Sequence, residues 1–264
     1  MAAGAFTAIA WRDTMADPVV RRAEVTLPAL AKGTQPLTIA LLSDFHVADP
    51  DMPPARLARI VAQVNALRPD YVMLAGDFIT DRRLATRHYN FPAALAPLAG
   101  LRPRFATLAV LGNHDYWRNA EEGRNELARI GVKVLVNEST RIGPLRVIGL
   151  GDEYTGHDDV KASFAGVDGS MGDVVVLSHS PDVVPALPGD VALTLAGHTH
   201  CGQIGWPWGG SPATMSKYGD RYACGRIDEG GKTTIVTAGL GTSVLPFRFV
   251  VPPDMWLVTV RPPQ

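Results

Sequence analysis

An α/β or α+β domain built in layers is what this sequence predicts, and three observations carry the prediction. Apolar runs of strand length stop abruptly at polar residues. Helical segments separate those runs through the first half of the chain, and from about residue 221 onward short strands with Gly and Pro turns take over. The 264 residues are 46% hydrophobic and 19% charged, enough apolar material for one large domain and too much for a disordered chain.

The opening "MAAGAFTAIAW" is apolar and rich in small residues. It falls short of the roughly 20 residues that span a bilayer and lacks the charged start of a signal peptide. It reads either as a frayed terminus or as the remnant of a membrane anchor or export signal. Residues 18–36 read as an entry strand and a loop turning at "GTQP", so residues 1–36 form an N-terminal segment ahead of a single domain over 37–264. "LTIALLSDFH" is a buried strand running into a loop, and "PPARLARIVAQVNALRP" is a helix with proline at both ends. "YVMLAGDFITD" repeats the strand-to-loop pattern. A helix near 90–99, the strand of "FATLAVLGNHDYW", a helix over about 119–130 and strands near 132–136 and 145–150 continue the alternation. "GDVVVLSHSPD" and "VALTLAGHTH" are two more apolar strands ending in histidine-bearing loops. "RYACGRID", "KTTIVTAG" and "MWLVTV" complete the strand count.

A formal net charge of −1, with no long basic run, disfavours nucleic acid as a partner. Two cysteines, Cys201 and Cys224, imply no disulfide framework; they either pair through the fold or stay free. Neither has a partner at CxxC spacing, so a structural zinc site is not expected.

The strand ends share one property. They present Asp44 and His46, Asp77, Asn113 and His114, His179, then His198 and His200. One such Asp is ordinarily a turn or cap residue, and one such His a hydrogen-bonded core residue. Five loops together, holding every histidine except His88 and His157, predict a shared crevice. Two Asp, one Asn and four His exceed what one tetrahedral zinc needs and suit two ions of the Mn, Fe or Zn class, with one carboxylate shared. The surplus positive charge then attracts a phosphate.

The ordered series Asp44-x-His46, Gly76-Asp77, Gly112-Asn113-His114, His179 and Gly197-His198-x-His200 resembles the calcineurin-like metallophosphoesterase superfamily. "GNHDYW", "LSHSPDVVP", "GHTHCGQ" and the tail "GLGTSVLPFRFVVPPDMWLVTV" are similar to its bacterial YkuE-like branch. The resemblance implies a four-layer αββα sandwich, with two mixed β-sheets flanked by helices. It implies that Asp44, His46, Asp77 and His200 hold one metal, and that Asp77 bridges to a second held by Asn113, His179 and His198. Manganese is the expected ion, with iron or zinc as alternatives. His114 matches the phosphate-facing histidine, a general acid or transition-state stabiliser, with Asp115 available to orient it. Many members carry a second Asp three residues after the bridging one; here that position is Thr80, with Asp81 one residue later.

The implied reaction is hydrolysis of a phosphate ester or pyrophosphate by water activated between the two ions. Trp206 and Trp208, which follow the last metal loop, either pack on a sheet edge or form a rim for an apolar substrate or a membrane surface. Arg248 either contacts a phosphate or pairs with an acidic neighbour. An apolar rim fits a small-molecule or lipid-linked phosphate substrate and a cell-envelope or membrane-associated enzyme, with a cytoplasmic location as the alternative. No obligate protein partner is implied. UDP-diacylglucosamine of lipid A synthesis is one candidate substrate. A metal-free scaffold on the same fold is the reading from another class, and its mark, lost ligands, is missing from these motifs.

Overall fold

The computed structural model describes residues 2–81, 84–167 and 173–264. Two six-stranded mixed sheets pack face to face. The first runs in the order β1 (Val19–Thr26), β14 (Asp254–Arg261), β2 (Leu37–Leu42), β4 (Tyr71–Ala75), β6 (Ala106–Val110) and β7 (Lys133–Val134). The second runs β12 (Gly225–Glu229), β13 (Lys232–Val236), β11 (Leu193–Ala196), β10 (Val174–Leu177), β9 (Leu145–Gly149) and β8 (Glu138–Ile142). A short antiparallel pair, β3 (Ala48–Asp49) and β5 (Arg87–His88), lies apart from both.

Side-chain alternation explains why the central strands read as unbroken apolar runs. In β4, Tyr71 and Met73 join the core between the sheets, while Val72 and Leu74 face the helices on the other side. Both faces are covered, so each position is apolar, as parallel strands require. The inter-sheet core adds Ile39, Leu41, Leu108 and Val110 from the first sheet and Val147, Val175, Leu195 and Ile235 from the second. Outside the first sheet pack α2 (Pro54–Ala66), α3 (Phe91–Leu95) and α4 (Asn113–Arg129), through Leu57, Ile60, Val64, Phe91 and Leu127. The layer over the second sheet is thinner. It holds α5 (Val160–Ser163) and a 3₁₀ turn over Pro181–Ala186 on a small cluster around Ile148, Val174 and Val176. The fold is therefore the expected αββα sandwich with one light outer layer.

Two local findings differ from the sequence reading and a third settles a point it left open. The N-terminal stretch is a helix, α1 (Ala2–Met15), rather than a frayed end, and its last turn is docked, with Ala10 and Thr14 buried. Among the described residues, no helix is long and apolar enough to cross a membrane. The helix expected from about 119 begins at Asn113. Extended backbone at Asn119 (φ −176°, ψ 92°) divides it, and the Asn119 Oδ1 accepts the Glu122 N–H as a fresh N-cap. The sequence signal belonged to that second start. Cys201 and Cys224 form a disulfide, which closes the alternative of free thiols.

Candidate metal centre

Parallel neighbours put their C-terminal ends on one edge of each sheet, and the two sheets bring those edges together. β2, β4 and β6 deliver Asp44, His46, Asp77, Asn113 and His114; β10 and β11 deliver His179, His198 and His200. Backbone hydrogen bonds knit the loops, from Asp44 N–H to Gly76 O (3.0 Å), His46 N–H to Asp77 O (3.0 Å) and Gly197 N–H to His179 O (2.9 Å). Close approach demands glycine here: a Cβ on Gly112 would strike the Asp77 carboxylate, and one on Gly197 would strike Ser43 and Asp44.

The chain accepts strained backbone to aim these side chains. Asp44, His46, Asp77, His198 and His200 all have φ between 45° and 70°, a region that residues with a Cβ rarely occupy. Such strain persists only where surrounding structure enforces it, and it gathers at functional sites.

All seven predicted ligands converge. Asp77 is central, its Oδ2 lying 3.5 Å from His46 Nε2 and 3.3 Å from His179 Nε2. On one side, His200 Nε2 lies 3.3 Å from Asp44 Oδ1 and 3.0 Å from His46 Nε2. On the other, His179 Nε2 lies 3.1 Å from Asn113 Oδ1 and 3.2 Å from His198 Nδ1. His179 Nδ1 donates to the Ala75 carbonyl at 2.7 Å, which leaves Nε2 as the ligand nitrogen. All seven residues are buried. Donor atoms of Asp44, His46 and His200, and of Asp44, Asp77 and His179, form groups within 4.8 Å. Buried anions and imidazoles that nearly touch, with only oxygen and nitrogen donors facing one another, fit divalent cations.

Without metal, the buried groups shift one another's titration. Burial pushes the Asp44 carboxyl up to about 6, against the His179 charge. For Asp77 burial acts the same way, but the charges of His179, His114 and His46 outweigh it and hold the group well below the carboxylate range. Burial would lower His179, yet Asp77 and Asp44 hold it well above its usual value. Burial and the His179 charge take His198 down to about 3. A cation must therefore displace protons from Asp44 and His179. Both groups have raised folded values, so their stabilisation of the metal-free protein is full at low pH and fades upward, from about 4 through about 6 for Asp44. The metal-induced rise in melting temperature is expected to grow from pH 5 to pH 8, with proton release on binding. Melting curves with Mn²⁺ and with chelator across that range check it; a rise that shrinks with pH contradicts the ligand set.

His114 stands beside the cluster. Its Nδ1 lies 2.5 Å from Asp81 Oδ1, and its backbone N–H donates to Asp77 Oδ1 at 2.9 Å. The orienting carboxylate is thus Asp81, one residue past the usual place, and not Asp115. Asp115 is wholly buried and accepts the N–H groups of Asp77, Phe78 and Gly112, each at 2.9 Å. It locks the two loops instead.

The substrate-side expectations need larger correction. Arg248 is fully buried, with its guanidinium spent on the carbonyls of Ala238, Gly239 and Gly241, so it does not meet a phosphate in the cavity. Trp206 and Trp208 stack on each other (5.4 Å, 4°), and Trp206 borders a separate groove beside the disulfide. The cavity over the metal donors, about 310 Å³, is rimmed by Leu84, Trp117, Tyr154, Met215 and Val244. The sequence held signals for two of these. Trp117 lies three residues after His114 on α4, hence on the same face. Tyr154 follows β9, another strand ending at the same edge.

An αββα sandwich with a buried carboxylate–imidazole cluster at converging strand ends is the architecture of a metallophosphoesterase domain. The chain belongs to the calcineurin-like phosphoesterase family, whose model matches residues 37–202. It is 31% identical over 252 residues to a zebrafish (Danio rerio) transmembrane protein with metallophosphoesterase domain, covering 88% of this chain and 54% of that one. It is 25% identical to the uncharacterized metallophosphoesterase YkuE of Bacillus subtilis, covering 99% and 93% of the two chains. It thus spans about half the zebrafish relative and nearly all of the bacterial one. Among solved structures it is similar to a dimetal phosphatase from Danio rerio, with TM-score 0.43, 14% identity and coverage of 77% and 88%.

Proposed function

We propose that the protein is a dinuclear phosphoesterase that hydrolyses a phosphate ester or pyrophosphate bearing an apolar group. The observation that carries the dinuclear reading is the position of Asp77 Oδ2 between His46 and His179. Asp44, His46 and His200 would hold one ion with Asp77; Asn113, His179 and His198 would hold the other. Manganese suits this mixed donor set, as do iron and zinc. Bound there, two divalent ions supply Lewis-acid charge for the phosphoryl oxygens and lower the pKa of water.

The chain's own groups account for the rest. Asp44 and Asp77 supply two negative charges, so the loaded centre keeps a positive surplus for an anionic substrate. His114 lines the cavity and is steadied at Nδ1 by Asp81, which leaves Nε2 to protonate the ester oxygen that departs as the P–O bond breaks. Water supplies the incoming oxygen.

Exposed Leu84, Trp117, Tyr154, Met215 and Val244 at the mouth support an apolar substituent on the phosphate, including a lipid-linked one. None of the described rim residues is Lys or Arg, which argues against a polyanion; Arg82 and Arg83 lie outside the described residues. The disulfide supports an oxidising compartment and so a cell-envelope location.

The test is a hydrolysis panel on metal-quantified protein with Mn²⁺. It compares p-nitrophenyl phosphate, bis-p-nitrophenyl phosphate, a phospholipid in vesicles and UDP-diacylglucosamine, with chelated protein as control. Preference for substrates with apolar groups supports the reading. Equal or better turnover of small polar phosphates overturns the apolar part, and inertness with two ions bound overturns the phosphoesterase itself.

A further inference from the structure

We propose that Arg248 is a positioning residue for one half of the metal centre, and that α1 belongs to the same brace. The inference rests on the dinuclear reading and concerns the half held by Asp44 and His200.

Arg248 sits behind that half, with no exposed surface. One guanidinium nitrogen, Nη2, lies 2.7 Å from Ala238 O, 3.2 Å from Gly239 O, 2.6 Å from Gly241 O and 3.4 Å from His200 Nδ1. Nε adds a second bond to Gly241 O at 3.1 Å. Gathering those carbonyls on one cation turns the N–H groups of the same loop the other way. Leu240 N–H donates to Ser43 O at 3.1 Å, and Gly241 N–H to Asp44 O at 2.7 Å. Arg248 thereby fixes the main chain of one ligand and touches the ring of another.

The other half is held differently: His179 by the Ala75 carbonyl, and Asn113 by its place at the start of α4. The brace is thus one-sided. It also needs the forked guanidinium, because a lysine ammonium is a point donor and cannot repeat the Nε and Nη2 contacts together.

The brace extends to the N-terminal helix. The Arg248 N–H donates to Thr14 Oγ1 at 2.7 Å, near the end of α1. Buried Arg56 holds the same turn, donating to Thr14 O at 2.7 Å and Ala16 O at 2.8 Å. Trp11 meets Phe247, next to Arg248, edge to face at 6.4 Å. Displacement of α1 is therefore felt at His200 and Asp44 through one residue.

The experiment titrates Mn²⁺ into the metal-free full chain, unsubstituted and as Arg248→Lys and Thr14→Val. Equivalents are counted by equilibrium dialysis, and the electron paramagnetic resonance spectrum separates coupled from isolated Mn²⁺. The unsubstituted protein is expected to take two equivalents and show a coupled pair. Arg248→Lys is expected to keep one equivalent at unchanged affinity, bind the second at least about tenfold more weakly and show isolated Mn²⁺. Thr14→Val is expected to shift the second equivalent in the same direction by less. Fewer than two equivalents in the unsubstituted protein overturns the dinuclear reading and this one with it. Two equivalents at unchanged affinity in Arg248→Lys, with only a lower melting temperature, makes Arg248 a purely structural residue. Should Arg248→Lys fail to fold, an unchanged second equivalent in Thr14→Val overturns the proposal.

Discussion

Asp77→Asn is expected to give a folded protein that binds at most one metal ion and turns over substrate at least about 10³-fold more slowly. The fold should survive because asparagine keeps what the backbone needs. Asp77 sits at φ 55°, a left-handed conformation that asparagine tolerates better than most residues. Its Oδ1 accepts the His114 N–H, and an amide oxygen can do the same. The metal-free variant also loses a buried charge. What asparagine cannot replace is the anion between the two halves. Two divalent ions held side by side would repel strongly, and a carboxylate shared by both halves would make joint occupancy favourable. Metal analysis and circular dichroism on the same sample check the expectation. Two ions retained with full activity would show that Asp77 does not bridge.

Much of this centre was legible in the chain because each ligand follows an apolar strand, and a buried strand announces both its type and its end. The αββα order was legible for the same reason. What the sequence left open depends on contacts between elements distant in sequence. Asp81 stood one residue past the usual place of the supporting carboxylate, and only the fold shows that it reaches His114 across 33 residues. Asp115 looks like a catalytic neighbour of His114, yet helix geometry turns it back onto Gly112 and Phe78. Arg248 looks like a phosphate contact because arginine is mostly exposed; only the fold shows a ring of carbonyls around it. Trp206 and Trp208 follow the last ligand loop closely along the chain, yet the fold sets Trp206 on another groove with Trp208 stacked against it.

Replacing His114 is the second large effect expected, and it should differ in kind. His114→Asn should retain two ions, because none of the seven donors is altered, and the KM should change little. Turnover should fall about 10²–10⁴-fold, the range for loss of a general acid, equivalent to roughly 3–5 kcal/mol in the barrier. The loss should depend on the leaving group. p-Nitrophenolate departs without a proton, so the variant should be nearly normal on that ester and show its full deficit on an alkyl phosphate. Asp81→Asn should follow the same leaving-group trend with a smaller loss, about 10-fold to 100-fold, since it removes only the orientation of Nδ1. Asp115→Asn, by contrast, should act on stability and metal content together, because its two oxygens accept N–H groups from both ligand loops. The comparison is a set of kcat values on aryl and alkyl esters for the three variants, each normalised to bound metal. A deficit of equal size on both ester types would assign His114 to stabilising the phosphoryl charge rather than to protonating the leaving oxygen.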